Sequence, residues 1–455
     1  ISPVLNEIYS FARSEDELRT LAQEIVAQAK AAGADAVEVS VGESFGLTIG
    51  VRGGELETSE FGQDRNASIG VVRKRKSGSA SCESLSGRDL KAAIDKALAI
   101  AASSQEDECA GPADAEHLAA APFADLDLHH PWRPSVDQAT RIALECEQAS
   151  FDADPRVSRE KSEGAEISSV EARGAYANSH GFAMASTASS HAISCSALAQ
   201  GGQGMETGGW HSSQRNWRQL EDAAAVGRKA GQRAAARDGA QMARTAEVAA
   251  VFESGVSHSL IGCLLGAASG GNLYRKLSYL RGKMGDKVAT EHLTIREDPF
   301  IPAGKRSRVC DDEGVAVQAR NIVEAGVLTG YLLSSYSARK LGMKTTGNAG
   351  GAHNLSISCR SMGFADLLAE MGEGFLITEL MGRGANLVTG DYSCGAAGFW
   401  VEGGKISHPI REATVAGSLP VMLAGIVAGG DDILERGGIS CGSLLIDKIA
   451  LGGRK

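Results

Sequence analysis

Proline and aromatic residues are scarce in this 455-residue chain, which holds 10 prolines and only 5% Phe, Trp and Tyr. So few prolines exclude a collagen-like or proline-rich repeat. No apolar run reaches the ~18–20 residues that a membrane helix needs. The nearest, Leu419 to Gly430, is too short, so no membrane is expected as a partner. The opening ISPVLNEIYS lacks a basic and then apolar leader pattern, and no secretory signal is read there. Nine cysteines stand singly with no C-x-x-C pair, which argues against a disulfide framework and for reduced thiols in a cytoplasmic protein. G-x-x-x-x-G-K-[ST] is missing, as is G-x-G-x-x-G between a strand and a helix, so nucleotide binding has no support. No His is followed by Glu, which removes the zinc-peptidase pattern H-E-x-x-H. With 46 basic against 56 acidic residues the net charge is −10, and direct nucleic-acid contact is not expected. The one dense basic stretch, Arg73-Lys74-Arg75-Lys76, reads as a solvated edge strand.

Glycine is abundant instead: 56 residues, about 12% against a usual ~7%. It fits a fold with many tight turns and hairpins. Ser14-Glu15-Asp16-Glu17 is a capping box, with Leu18, Leu21, Ile25 and Val26 following at helical spacing up to Gly33. Strands are expected at Val37 to Val41, Gly46 to Val51, Glu55 to Phe61 and Ala67 to Arg75, with Gly53-Gly54 as a hairpin turn. A second helix, capped by Ser86, carries Leu90, Ile94, Leu98 and Ile100. Gln105 to Ser135 holds four prolines and little periodicity and reads as a linker. Helices follow near 136–151 and 219–237, with alternating strands between them over 167–199 and a turn at Asn178 to Gly181. Val248 to Phe252 is a short buried strand leading into a helix from Ser257 to Ala268. The remainder reads as strands and hairpins: Val315 to Ile322, Leu328 to Ser334, Leu355 to Cys359, Gly398 to Ile406 and Leu444 to Leu451. The fold class is therefore α+β: an N-terminal antiparallel sheet with flanking helices, then a Gly-rich, sheet-rich, partly barrel-like C-terminal domain. The expected segments are 1–110, 111–240 completing the N-terminal half, and 241–455.

Chemical motifs are few. Gly438-Ile-Ser440-Cys-Gly442 fits G-x-S-x-G, but the last histidine, His408, precedes it, so the partners of a nucleophile elbow are missing. His258 and Cys263 are both competent zinc ligands, yet five residues on one helix place them about 140° apart. Joint ligation then needs local unwinding; otherwise both pack in the core. Asp311-Asp312-Glu313 before Gly314 reads as a turn. The stretch Gly390 to Gly398 is dense in small residues and reads as a loop that a peptide backbone can approach, or as a tight connection into the Phe399-Trp400 strand.

Longer stretches resemble a known family. LIGCLLGAASGGNLYRK (Leu260 to Lys276), LLSSYSARKLGMKTTGNAGG within Ile322 to Gly351, ITELMGRGANLVTGDYSCGAAGFWVEGGKISHP within Leu376 to Ile410, and ISCGSLL (Ile439 to Leu445) are similar to the TldD/PmbA family, in its PmbA (TldE) branch. CAGPAD at Cys109 to Asp114 matches as well. The resemblance implies a bacterial protein linked by name to modulation of DNA gyrase and grouped with metallopeptidases. TldD subunits carry H-E-x-x-x-H and a distant Cys as zinc ligands. Carried over residue by residue, these positions fall on His258, Ser259, Cys263 and Cys441. Ser259 replaces the carboxylate, and a hydroxyl cannot accept a proton as a general base at neutral pH. Cys394 also departs from the branch pattern, which has Arg in GDYSRG. The implied function is a subunit of a TldD/TldE-type peptidase complex without its own zinc centre, so no cofactor is expected. Its partner would be a TldD-type subunit or a second copy in a homodimer, and its ligand an extended peptide near Asp391, Tyr392, Ser393 and Cys394. Two other readings are an autonomous metallopeptidase with zinc on His258, Cys263 and Cys441, and a non-proteolytic gyrase-linked binding protein.

Overall fold

Ser14 starts the first helix as its capping box predicts: its side chain accepts from the Glu17 amide, and the Glu17 carboxylate accepts from the Ser14 amide. That helix, α1 (Glu15–Ala31), buries Leu18, Ala22, Ile25, Val26 and Ala29 at helical spacing. The computed structural model describes residues 9–202, 204–382 and 384–453. The first eight residues, on which the reading of no secretory leader partly rests, lie outside that set. The chain divides into two units: residues up to 200 with 205–235 and 309–316, and residues 201–204, 236–308 and 317–455.

Unit 1 is built on one antiparallel sheet of β1 (Ala36–Arg52), β2 (Glu55–Arg73), β3 (Lys76–Cys82), β4 (Gly164–Asn178), β5 (Ala183–Gly201) and β6 (Gly204–Gln214), in the order β3-β2-β1-β4-β5-β6. The odd residues of β1, from Val37 to Val51, are buried in turn, so a single face carries the core. That face packs against α1, α2 (Gly87–Ser103), α3 (Val136–Asp152) and α4 (Ala223–Ala235). Ser86 and Ser135 cap α2 and α3. Ile100 of α2, expected on the buried face, is exposed; Ala97 and Ala101 line that face with Leu90, Ala93, Ile94 and Leu98.

Two expected strand pairs are single long strands. The pieces Val37 to Val41 and Gly46 to Val51 join through Gly42 to Phe45, because Glu43 turns inward and is neutralised by Arg13 at 2.8 Å. Glu55 to Phe61 and Ala67 to Arg75 join through a polar stretch that the whole length of β1 holds in register. The basic stretch is a correction: Lys74 and Arg75 are not edge-strand residues but the two-residue turn between β2 and β3, both with left-handed φ (51° and 62°). Residues 104–135 contain a short 3-10 turn at Ala115–His117 and isolated bridges at Glu106 and Leu118, and belong to unit 1 with the strands on either side.

In unit 2 the strands β7 (Gln241–Met242) and β8 (Ala246–Phe252) precede α5 (Ser254–Ala268) and α6 (Gly270–Tyr274). Then come β9 (Thr294–Asp298), β10 (Arg320–Glu324), β11 (Val327–Leu328), α7 (Ser335–Leu341), β12 (Asn354–Ser358), β13 (Ser361–Met362) and α8 (Phe364–Met371). The chain ends in β14 (Gly374–Met381), β15 (Asp391–Glu402), β16 (Lys405–Ser418), α9 (Leu419–Ala424), β17 (Ile426–Gly430), β18 (Leu434–Arg436), β19 (Ile439–Cys441) and β20 (Leu444–Gly452). Pairing of β20 with both β8 and β16 closes a five-stranded barrel, β20-β8-β14-β15-β16. A second sheet runs β11-β10-β9-β12-β19-β18. The expected strands Val315 to Ile322 and Leu328 to Ser334 shrink to β10 and β11, and Val315, Ala316 and Leu332 make only isolated bridges. Leu260, Ile261, Leu264 and Leu265 of α5 share one core with the inner faces of both sheets, so that helix is apolar nearly all round. No helix among the described residues is long and apolar enough to cross a membrane.

Candidate functional site

The helix α5 holds three of the positions singled out in the sequence, and it is continuous from Ser254 to Ala268. The unwinding that would bring His258 and Cys263 together does not occur. Its N-terminus is completed from β20's approach: Ser443 Oγ accepts the Ser254 amide at 3.0 Å and donates to Asp432 Oδ2 at 2.7 Å. Ser443 is fully buried, and the Ser443 amide donates to Asp432 Oδ1 at 2.9 Å. Gly442 is required here, since a Cβ would lie 2.0 Å from the Gly430 carbonyl oxygen. No sequence signal marks this Asp432-Ser443-Ser254 link, because its members join only when β19, β20 and α5 converge.

His258 is half-buried beside the β18–β19 hairpin. Burial lowers its pKa first, the Arg436 guanidinium lowers it further, and Glu435 opposes both. The ring is therefore neutral at pH 7, and Nδ1 is buried without a hydrogen-bond partner. Ser259 donates to the Val256 carbonyl at 2.7 Å, turning its hydroxyl onto its own helix. Cys441 lies on β19 with no exposure, donates to Gly442 O at 3.3 Å, and neighbours Ser257. Burial pushes its thiol up to about 12, so it is protonated. Cys263 faces elsewhere: burial raises its thiol, and its charged-state neighbour is Cys394. The structure thus brings His258 and Cys441 to the N-terminal part of α5 and sends Cys263 toward Cys394, Tyr279 and Tyr392.

The expected loop at Gly390 to Gly398 is a strand, and this corrects the sequence reading. In β15, Tyr392 and Cys394 point into the core, and Asp391 and Ser393 point out. Both backbone edges are occupied. On one side Tyr392 and Cys394 pair with Gly417 and Val415 of β16; on the other, Ser393 N donates to Gly384 O and Asn386 N to Asp391 O, each at 2.8 Å. Cys394 Sγ donates to Met381 O at 3.1 Å, and Asp391 Oδ2 accepts from Thr389 Oγ1 at 2.6 Å. Small residues that looked like loop punctuation are needed for close packing in the barrel wall: a Cβ on Gly398 would lie 1.9 Å from Leu376 O. The G-x-S-x-G match is equally resolved. Ser440 is a mid-strand residue of β19, paired with Glu435 and Ser356.

Three family models match the chain in order: PmbA/TldA metallopeptidase domain 1 over residues 37–101, the central domain over 129–238 and the C-terminal domain over 245–453. The chain belongs to the PmbA/TldD metallopeptidase family. The metalloprotease PmbA of Escherichia coli is 39% identical over 92% of this chain and 93% of its own. A Bacteroides thetaiotaomicron protein named as a candidate modulator of DNA gyrase superposes with a TM-score of 0.90 at 24% identity, covering 96% of this chain and 99% of its own. TldE from Thermococcus kodakarensis gives 0.82 at 19%, over 95% and 100%. These two likenesses establish the fold.

Family membership raises the question of a metal, and the donor set here does not fit one. Among the described residues no group of three or more His, Cys, Asp or Glu side chains is arranged to hold an ion. Of the positions that the family resemblance implies for zinc ligands, Cys441 is a protonated, buried thiol and Cys263 faces away toward Cys394; Ser259, at the implied general-base position, has neither charge nor a free direction.

Proposed function

We propose that this PmbA/TldD-family chain is a non-catalytic subunit of a peptidase complex, acting with a TldD-type partner on peptide substrates. The observation that carries this reading is Ser259. It stands where the family's general base would be, and its hydroxyl is committed to Val256 O. Water activation needs a proton acceptor near neutral pH, and a helix-bonded serine is not one. The resemblance to TldE supports the subunit reading. The candidate peptide position moves, because β15 has no free edge at Asp391 to Cys394.

One observation favours the second reading, an autonomous metallopeptidase. His258 Nδ1 is buried and unpartnered in a neutral ring, and with the ring proton on Nε2 it would offer the free lone pair a metal ligand requires. Metal content by elemental mass spectrometry on the purified chain and on His258→Ala separates the two. The subunit reading expects no stoichiometric zinc in either sample, and peptide hydrolysis only after a TldD-type protein is added. Near-stoichiometric zinc lost in His258→Ala, together with hydrolysis by the chain alone, would sink it.

A further inference from the structure

The CAGPAD segment plays no part in the candidate site, yet it closes one side of a cleft on the unit 1 sheet. Glu38, Gly70 and Ser79 are opposed across β1, β2 and β3, and so are Ala36, Val72 and Ser77. Opposed residues share a face, and the core takes their neighbours Val37, Val39, Ile69 and Val71, so both rows point away from the helices. The chain after α2 runs beside them. Glu106 bridges Lys76, the Asp107 amide donates to Arg75 O at 2.8 Å, and a Cβ on Gly111 would lie 3.7 Å from Val72 Cγ2. The two rows and Pro112 enclose a cleft of about 330 Å³, at the small end of the ~300–1,000 Å³ of ligand clefts. Gly78 lets α2 lie close on β3, where a Cβ would meet Ala97 O at 2.3 Å. Ile100 of that helix, the residue expected in the core, lines the cleft instead.

We propose that this cleft binds an alkylammonium group, a primary amine on a short methylene chain. Of the residues that line it, Glu38 alone is ionisable, so the lining carries one negative charge. The Glu38 side chain lies over Gly70: a Cβ there would meet its Cγ and Oε1 at 2.9 Å, and a glycine leaves that path open. Ser77 and Ser79 are exposed, and among the described residues their hydroxyls bond to nothing in the chain. They add two neutral acceptors on the β3 side. An ammonium has three N–H donors, which match one carboxylate and two hydroxyls. Val72, Pro112 and Ile100 give the methylenes apolar contact. The charge repels an anion, and a divalent cation such as calcium needs about six to eight oxygen ligands, more than one carboxylate and two hydroxyls supply. With one ion pair in a half-open cleft, binding is weak, in the millimolar range. The same head arrives on a free amine or on a lysine side chain. The inference uses no residue of α5 and stands apart from the proposed function.

Saturation-transfer difference NMR on the full chain at neutral pH tests it with n-butylammonium chloride. The methylene signals should respond saturably in the millimolar range. 1-Butanol, the same chain without the charge, should give no saturable response. Nα-acetyl-lysine methylamide carries the head on a peptide unit: saturation by both amines assigns the cleft to a lysine side chain, and by butylammonium alone to a free amine. Glu38→Gln keeps the shape of the side chain and should weaken binding about fivefold or more at an unchanged melting temperature. Gly70→Ala displaces the tip of Glu38 and should weaken binding with the carboxylate still in the chain. No saturable response to either amine, butanol equal to butylammonium, or an unchanged affinity in Glu38→Gln would each overturn the proposal. So would displacement of butylammonium by calcium chloride but not by sodium chloride of equal ionic strength.

Discussion

Glu171 in unit 1 and Glu297 in unit 2 are both almost completely buried carboxylates, and the two are held in different ways. Glu171 on β4 accepts from His129 Nε2 at 2.8 Å and from Arg133 Nε and Nη2 at 2.8 and 3.0 Å. Its partners come from the irregular stretch before α3 and remain 31% and 38% exposed. Glu297 on β9 accepts from the His353 amide and Nδ1, both at 2.9 Å, from Asn348 Nδ2 at 2.7 Å and from Arg320 Nε at 3.0 Å. Arg320 and His353 are only 15% and 3% exposed, and Arg320 also reaches Tyr331 O and Asn348 Oδ1. In unit 1 the buried charge fastens a segment that lacks secondary structure onto a sheet. In unit 2 it ties core segments to one another. The same residue types therefore have different consequences when cut.

The largest effect is expected in unit 2. Glu297→Ala strands a guanidinium and an imidazole away from water and should cost about 3–5 kcal/mol, measured by denaturant unfolding. A loss under 1 kcal/mol would show that water reaches Arg320 once the carboxylate is gone. Glu171→Ala should cost less, about 1–3 kcal/mol, because His129 and Arg133 can turn to solvent. Its distinguishing sign is proteolysis within residues 125–134 before global unfolding. Equal losses for the two substitutions would erase the contrast.

Acid should expose both networks. His129 and Arg133 overcome burial and hold Glu171 at about 2, and His353 with Arg320 keeps Glu297 below the ordinary carboxylate value. The unfolded chain binds more protons than the folded one between pH ~4.5 and ~2, so stability is full above that window and falls as pH drops through it. Glu171→Gln should flatten the curve by at most about 1.4 kcal/mol per pH unit. An unchanged slope would mean that Glu171 binds its proton equally in the folded and unfolded chain. Smallest of all, Ser14→Ala should cost about 1 kcal/mol, as for a surface cap remote from both networks.

How far the sequence reveals this molecule depends on the range of the interactions. The capping serines Ser14 and Ser86 were legible because caps are decided within four residues. So was the helix of His258, although Ile100 shows that periodicity finds a helix more surely than the identity of its buried face. At the candidate site, a serine at position 259, where the family resemblance implies a carboxylate, is visible in the sequence, but where its hydroxyl goes is not. The contact of Cys441 with Ser257 and the turning of Cys263 toward Cys394 depend on how two sheets close on α5.

By itself the sequence determined the α+β class, the helix starts, and the Gly-Gly and Asn178 to Gly181 turns. Those follow from local propensity, spacing and side-chain chemistry. The tertiary structure alone decided that Gly390 to Gly398 is barrel wall and not loop, that Glu43 can sit inside a strand, and that β2 continues through a polar stretch. In each case a partner distant in the chain supplies the hydrogen bonds or the counter-charge, and no local pattern encodes a partner that arrives only on folding.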